Sequence, residues 1–209
     1  MPEPLRVLAR DGEHETEIQR SRFRCRLTRV TDADAAAEVV AAVRREHWSA
    51  SHHCTALRIG PAAEIQRSSD DGEPAGTAGV PMLEVLTRRE LTDVVAVVTR
   101  WFGGTKLGAG GLVRAYGSAV SEALDVIGTH RRARHTELLL AVPHADAGRL
   151  ENAVRANGIR VTGVEYGGDV AIAVQVPDAT AFHTWLAERT GGAVEAIETG
   201  TTDVEIADR

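Results

Sequence analysis

The sequence predicts an α+β protein of two domains, and three observations carry that reading. Val94 to Thr99 is an unbroken β-branched apolar run that leads through glycines into a helical period. Ser21 to Arg29 alternates apolar residues with arginines, as a half-buried strand does. The last third of the chain reads strand, helix, strand, strand, helix, strand. The 209 residues leave room for one large or two small domains, and aromatics make up only 4%, so the cores rest on Val, Leu, Ile and Ala.

Taken in order, Met1 to Thr16 is polar and reads as loose, with a first edge strand through Leu5 and Val7. In the strand Ser21 to Arg29, Phe23, Cys25 and Leu27 face one way and Arg22, Arg24 and Arg26 the other. The arginine stripe reads as a solvated face that discourages edge pairing, ahead of a binding face. Thr31 to His47 is a helix, capped by Thr31 or Asp32, with Val39, Val40 and Val43 on its apolar side. Strands follow through Thr55, Leu57 and Ile59 and near Glu64 to Arg67, separated by a turn at Gly60-Pro61. Met82 to Leu86 reads as a further strand.

The run Val94 to Thr99 suits a strand buried on both faces. It ends in Arg100-Trp101-Phe102-Gly103-Gly104-Thr105-Lys106-Leu107-Gly108-Ala109-Gly110-Gly111, a loop with five glycines. Leu112, Tyr116, Ala119, Ala123 and Ile127 then fall at helical spacing, and Gly128 stands at the stop. No acidic residue lies between Asp93 and Glu122. Free amides at a helix start, its positive dipole end and three cations make an anion site of Arg100, Gly103, Gly104, Lys106, Gly108, Gly110, Gly111 and Arg114. The bland alternative is that the glycines serve only a tight turn and close packing. A dinucleotide fingerprint is absent, because Val113 stands where its third glycine belongs counting from Gly110; a Walker loop is absent, because Leu107 follows Lys106. Lys106 is the only lysine of the chain, which suggests a need for a compact ammonium where a planar guanidinium is too bulky.

A second loop, Ser68 to Gly79, is dense in small and acidic residues. Asp70, Asp71 and Glu73 can hold a hard cation, orient a water, or pair with the cations of the glycine loop. Their spacing is not that of an EF-hand, and no metal site or cofactor motif is expected. His52 and His53 adjoin Cys54 but point to opposite faces of a strand, so His53 reads as a packed, hydrogen-bonded residue. His52 is the acid–base candidate, and His52, Asp70, Asp71 and Glu73 are the candidates for any catalysis. Cys25 and Cys54 fit no metal, redox or disulfide spacing.

Thr129 to Arg134 reads as a basic connector and sets the expected domains at 1–132 and 133–209. Beyond it come a strand at His135 to Val142 and a helix at Ala145 to Ala156. Strands at Ile159 to Tyr166 and Asp169 to Val176 join through Gly167-Gly168, a helix capped by Asp178 follows, and the last strand starts at Val194. That order is the ferredoxin-like β-α-β-β-α-β plan. Up to Arg132 there are 18 basic and 18 acidic residues, whereas 6 basic and 12 acidic residues from Ala133 onward account for the net charge of −6. Any polyanion contact is therefore expected on the first half, because phosphate neutralisation drives such affinity. No apolar run approaches a membrane span and Met1 to Gln19 has no signal-peptide core, so a soluble cytoplasmic protein with no membrane contact is expected.

The motifs Asp70-Asp71-Gly72-Glu73-Pro74 with Gly76-Thr77-Ala78-Gly79, and Thr99 to Gly104 with Lys106 to Tyr116, resemble the signature of the Impact family, in its bacterial YigZ-like branch. His52 and Cys54, after Ala50, match the family's shorter histidine motif, and Trp101 stands where the family often has tyrosine. The resemblance covers nearly the whole chain. It implies an N-terminal domain similar to domain 2 of ribosomal protein S5 and a C-terminal domain similar to the last domain of elongation factor G. Eukaryotic relatives regulate translation by competing for the activator of a kinase that acts on an initiation factor. Bacteria lack that pathway, so the resemblance carries over the link to translation. The expected function is a non-enzymatic module that binds RNA, the ribosome or a translation factor through the glycine loop. The alternative is an enzyme acting on a phosphorylated small molecule or nucleotide.

Overall fold

The computed structural model describes residues 5–207, which divide into two compact units, 5–132 with 205–207, and 133–204. The first unit holds β1 (Arg6–Leu8), β2 (Gly12–Ile18), β3 (Ser21–Arg29), α1 (Ala33–Glu46), β4 (His52–Ile59) and β5 (Ile65–Ser69). It continues through α2 (Gly79–Arg88), β6 (Val94–Trp101) and α3 (Gly108–Ile127). Five of its strands form one antiparallel sheet in the order β2-β3-β6-β4-β5.

β6 lies at the centre of that sheet, and its β-branched run works on both faces. Val94, Ala96 and Val98 pack with Phe23, Cys25 and Leu27 of β3 against α2 and α3. Val95 and Val97 face the other way, against Ala36, Val39, Val40 and Val43 of α1. The strand is fully buried from Val94 to Val98, which is why its sequence shows no alternation. The Asp32 carboxylate caps α1 by accepting from Ala35 N at 2.8 Å. The arginines of β3 pair with Glu13, Glu15 and Glu46, so that stripe is a solvated, ion-paired face.

Three expectations are corrected. The loose start expected over Met1 to Thr16 lies outside the described residues as far as Pro4, and beyond it Gly12–Ile18 is a strand whose Glu13 and Glu15 meet the arginines of β3. Met82 to Leu86 is helical, inside α2. Met82, Val85 and Leu86 stand one helical turn apart on its buried side, and Pro81 is tolerated because it falls in the first turn. Thr129 to Arg134 is not a connector without regular structure; it opens β7 (Thr129–Val142), where Arg131, His130 and Thr129 pair with Arg6, Val7 and Leu8 of β1.

The second unit contains the rest of β7, then α4 (His144–Ala156), β8 (Arg160–Tyr166), β9 (Val170–Val176), α5 (Ala179–Thr190) and, as far as Val204, β10 (Ala196–Ala207). Its strand order is β10-β7-β9-β8, the ferredoxin-like arrangement expected from the sequence. Leu138, Leu140, Ile172 and Val174 of the sheet pack on Leu150 and Val154 of α4 and Phe182 and Leu186 of α5. Asp178 caps α5 through Ala181 N at 3.0 Å, as expected. Among the described residues no helix is long and apolar enough to cross a membrane.

Candidate functional site

Two loops join strand to helix in the first unit, 70–78 ahead of α2 and 102–107 ahead of α3. Each touches the paired ends of β4 and β6, the first at His52, His53 and Arg100 and the second where Phe102 N donates to Ser51 Oγ. His52 lies opposite Arg100 in that register. Each of the four acid–base candidates has a distinct place around this point.

Asp70 fastens its own loop. Its Oδ1 accepts from Ala78 N at 3.0 Å and Gly79 N at 2.8 Å, and its Oδ2 from Gly76 N at 2.8 Å. Burial pushes its carboxyl up, but the three amides outweigh this and hold it below the usual range. Ala78, at the N-cap position of α2, has no acceptor side chain, so Asp70 supplies the cap from nine residues before Gly79. Its carbonyl also accepts from Cys54 Sγ at 3.0 Å and from Glu73 N at 2.9 Å. Burial pushes the Cys54 thiol up to about 12, so it stays protonated.

Asp71 takes a left-handed backbone with φ 44°. Its carboxylate accepts from Arg44 Nη2 and from His53 N, both at 2.6 Å. His53 is buried with Nε2 3.1 Å from the His47 carbonyl; burial holds its pKa down and leaves it a packed, neutral residue. His52 is partly open, and its Nδ1 lies 2.9 Å from the Asp71 carbonyl. A carbonyl only accepts, so Nδ1 carries the hydrogen and Nε2 is left facing the Glu73 carboxylate at 3.9 Å.

Glu73 is the centre of the cluster. Its side chain is 4% exposed, and Oε1 accepts from Arg100 Nη1 at 2.6 Å and Tyr116 Oη at 2.8 Å. Of the three roles open to this carboxylate, pairing with a cation of the glycine loop is the one it takes. Burial pushes the Tyr116 hydroxyl well up, so it remains a donor. Arg100, 5% exposed, also donates to Ser21 Oγ at 3.3 Å through Nη2, while its Nε has no hydrogen-bond partner among the described residues. The guanidinium sits between the rings of Phe23 and Phe102, at 5.3 and 5.5 Å. Arg100 thus faces inward, apart from the other residues expected to form the anion loop.

Those others remain together at the surface. A Cβ on Gly103 would stand 1.9 Å from the Arg20 carbonyl oxygen, so only glycine fits there. Gly104 and Gly108 take φ of 86° and 69°. α3 begins at Gly108, which puts Gly110 and Gly111 in its first turn rather than in the loop. Leu107, at the N-cap position, offers no cap bond, and the first turn holds no acid. Lys106 and Arg114 are exposed and make no ion pair among the described residues. Among the described residues no three His, Cys, Asp or Glu side chains are arranged to hold a metal ion.

Sequence reasoning overlooked Tyr116 and Ser21 as polar members of the cluster. Tyr116 was legible only as a core position, although a buried tyrosine hydroxyl asks for a partner. Nothing local marks Ser21, whose neighbours Arg100 and Gly103 lie about eighty positions away.

Residues 19–124 match the Impact N-terminal domain, and residues 140–193 match a domain of unknown function, DUF1949. The chain is similar to the IMPACT family member YvyE of Bacillus subtilis, with 43% identity over 93% of this chain and 90% of that one. It is similar to the IMPACT family member YigZ of Escherichia coli, with 37% identity over 87% of this chain and 91% of that one. A crystal structure described as that of a hypothetical protein shares 34% identity and a TM-score of 0.60, covering 95% of this chain and 98% of its own.

Proposed function

Because this chain belongs to the Impact family, we propose that it is a translation-associated regulatory protein of the cytoplasm. It docks on an anionic partner, RNA, the ribosome or a translation factor, through the start of α3, without chemistry. The observation that carries this reading is the uncapped helix start: among the described residues its amides have no side-chain acceptor, and Lys106 and Arg114 stand exposed beside it without an ion pair. The residues proposed to make the contact are Lys106, Arg114 and the backbone at Gly104, Gly108, Gly110 and Gly111. Gly103 fixes the loop from behind, and Arg100 acts indirectly by holding Glu73.

The test is a titration of labelled single-stranded RNA and of ribosomal subunits at rising KCl. Binding that weakens with salt by a slope of about −0.7 per neutralised phosphate is the expected result. Absence of binding at low salt, or binding indifferent to salt, overturns the reading. A second reading, an enzyme acting on a phosphorylated small molecule or nucleotide, draws on the way loop 70–78 lies against the ends of β4 and β6, with His52 Nε2 3.9 Å from Glu73 beside Arg100. It requires turnover that disappears in His52→Gln while RNA binding persists.

A further inference from the structure

A groove of about 710 Å³ runs between α2 and α3. Its floor is aliphatic, formed by Pro81, Val85 and Val113, and Val113 is 39% exposed. Its rims are basic, with Arg88 on α2, Arg89 at the C-cap just past it and Arg114 on α3, and Glu84 is the one acid among its lining residues. Arg89 is occupied by Asp125 at 2.7 Å, but Arg88 and Arg114 make no ion pair among the described residues.

Gly117, in the wall of this groove, lies in the middle of α3, where glycine destabilises a helix relative to alanine. The fold itself does not require it. A Cβ there meets nothing nearer than Val85 Cγ2 at 3.8 Å, an ordinary contact, and its φ is not positive. Gly110, two turns earlier on the helix, likewise meets only the end of the Arg114 side chain at 3.7 Å. The missing side chain at Gly117 therefore has no use in internal packing, but it lets an occupant of the groove come close to the α3 backbone.

We propose that this groove receives an acidic amphipathic segment of a partner protein. Its apolar side chains rest on Val85 and Val113, and its carboxylates reach Arg88 and Arg114. A nucleic-acid strand suits the groove less well, because the floor offers aliphatic groups where unpaired bases stack on aromatic rings. The inference goes beyond the anion site at the start of α3 and shares only Arg114 with it.

The test is an isotope-labelled NMR titration of the full-length protein with a synthetic peptide of about 16 residues, roughly four helical turns. The peptide carries leucines on one face and glutamates on the other; a version with lysines for glutamates and a single-stranded oligouridine are run beside it. The acidic peptide is expected to shift the amides of Val85, Val113, Gly117 and Ser118. Its affinity is expected to fall about tenfold or more in Gly117→Leu and in the surface variant Arg88→Glu, which avoids any folding defect of the first. Gly117→Ala is expected to keep or raise the melting temperature. No shift with the acidic peptide, equal shifts with the lysine version, or shifts from oligouridine alone overturn the proposal, as does a lowered melting temperature in Gly117→Ala. Lys106→Ala separates the two readings: it weakens RNA binding and leaves peptide binding intact if each site is what we propose.

Discussion

Loops 70–78 and 102–107 have the same plan, a glycine-containing passage from strand to helix, yet they end in opposite states. Ahead of α2 the helix amides are covered by the protein's own Asp70 carboxylate. Ahead of α3 no side chain among the described residues caps the helix, and its first turn holds no acid. The same physical demand, an anion at a helix N-terminus, is met internally in one loop and left to solvent in the other. What separates them is where the acids sit. Three carboxylates crowd the first loop, whereas none lies between Asp93 and Glu122.

The comparison can be broken most severely at the buried pair that ties the first loop to the end of β6. Glu73→Ala strands the Arg100 guanidinium, 5% exposed, without its carboxylate, and is expected to cost about 3–5 kcal/mol in urea unfolding. A loss near zero would mean that the pair does not hold the first loop shut. Next in size, Asp70→Ala uncaps α2 and is expected to cost about 1–2 kcal/mol. The Asp70 carboxyl is held below its ordinary value of 3.8, so its contribution is complete above that pH and is lost as pH falls through the folded value. Urea midpoints at neutral and acid pH should therefore converge between the native protein and Asp70→Asn as the pH drops.

Smaller effects sharpen the contrast at the open loop. Ala109→Glu gives the first turn of α3 an acid of its own; it is expected to add about 0.3–1 kcal/mol of stability while weakening RNA binding. Thermal melts and the RNA titration read the two effects separately, and a variant that gains stability with unchanged binding counts against the anion site. Smallest in stability is Lys106→Ala, expected to lie within about 0.5 kcal/mol of the native protein. Its salt slope for single-stranded RNA should drop by about 0.7, the share of one phosphate contact.

How much of this was legible in the sequence depends on how far apart the partners lie. β3, β6 and the ferredoxin-like order declare themselves through local periodicity, because each buried face is written in consecutive residues. The helix at Met82 to Leu86 was hidden because its cap comes from Asp70 rather than from an adjoining residue. β2 was hidden because Glu13, Glu15 and Glu17 give it no apolar alternation, and its partners are the arginines of the next strand. At the candidate site the exposed residues from Gly104 to Arg114 follow from the spacing of the chain. The inward turn of Arg100 does not, since Glu73 and Ser21 lie 27 and 79 positions away.

The contact between Gly103 and Arg20 bears on the energetics of recognition. Gln19 and Arg20, both with left-handed backbones, press their hairpin against a residue that cannot carry a methyl group. The hairpin thus stands as a backstop behind Gly103, and residues 104–107 are what lies between it and the start of α3. At about 1–2 kcal/mol of backbone entropy per immobilised residue, ordering so short a stretch on the proposed anionic partner would cost only a few residues' worth of freedom.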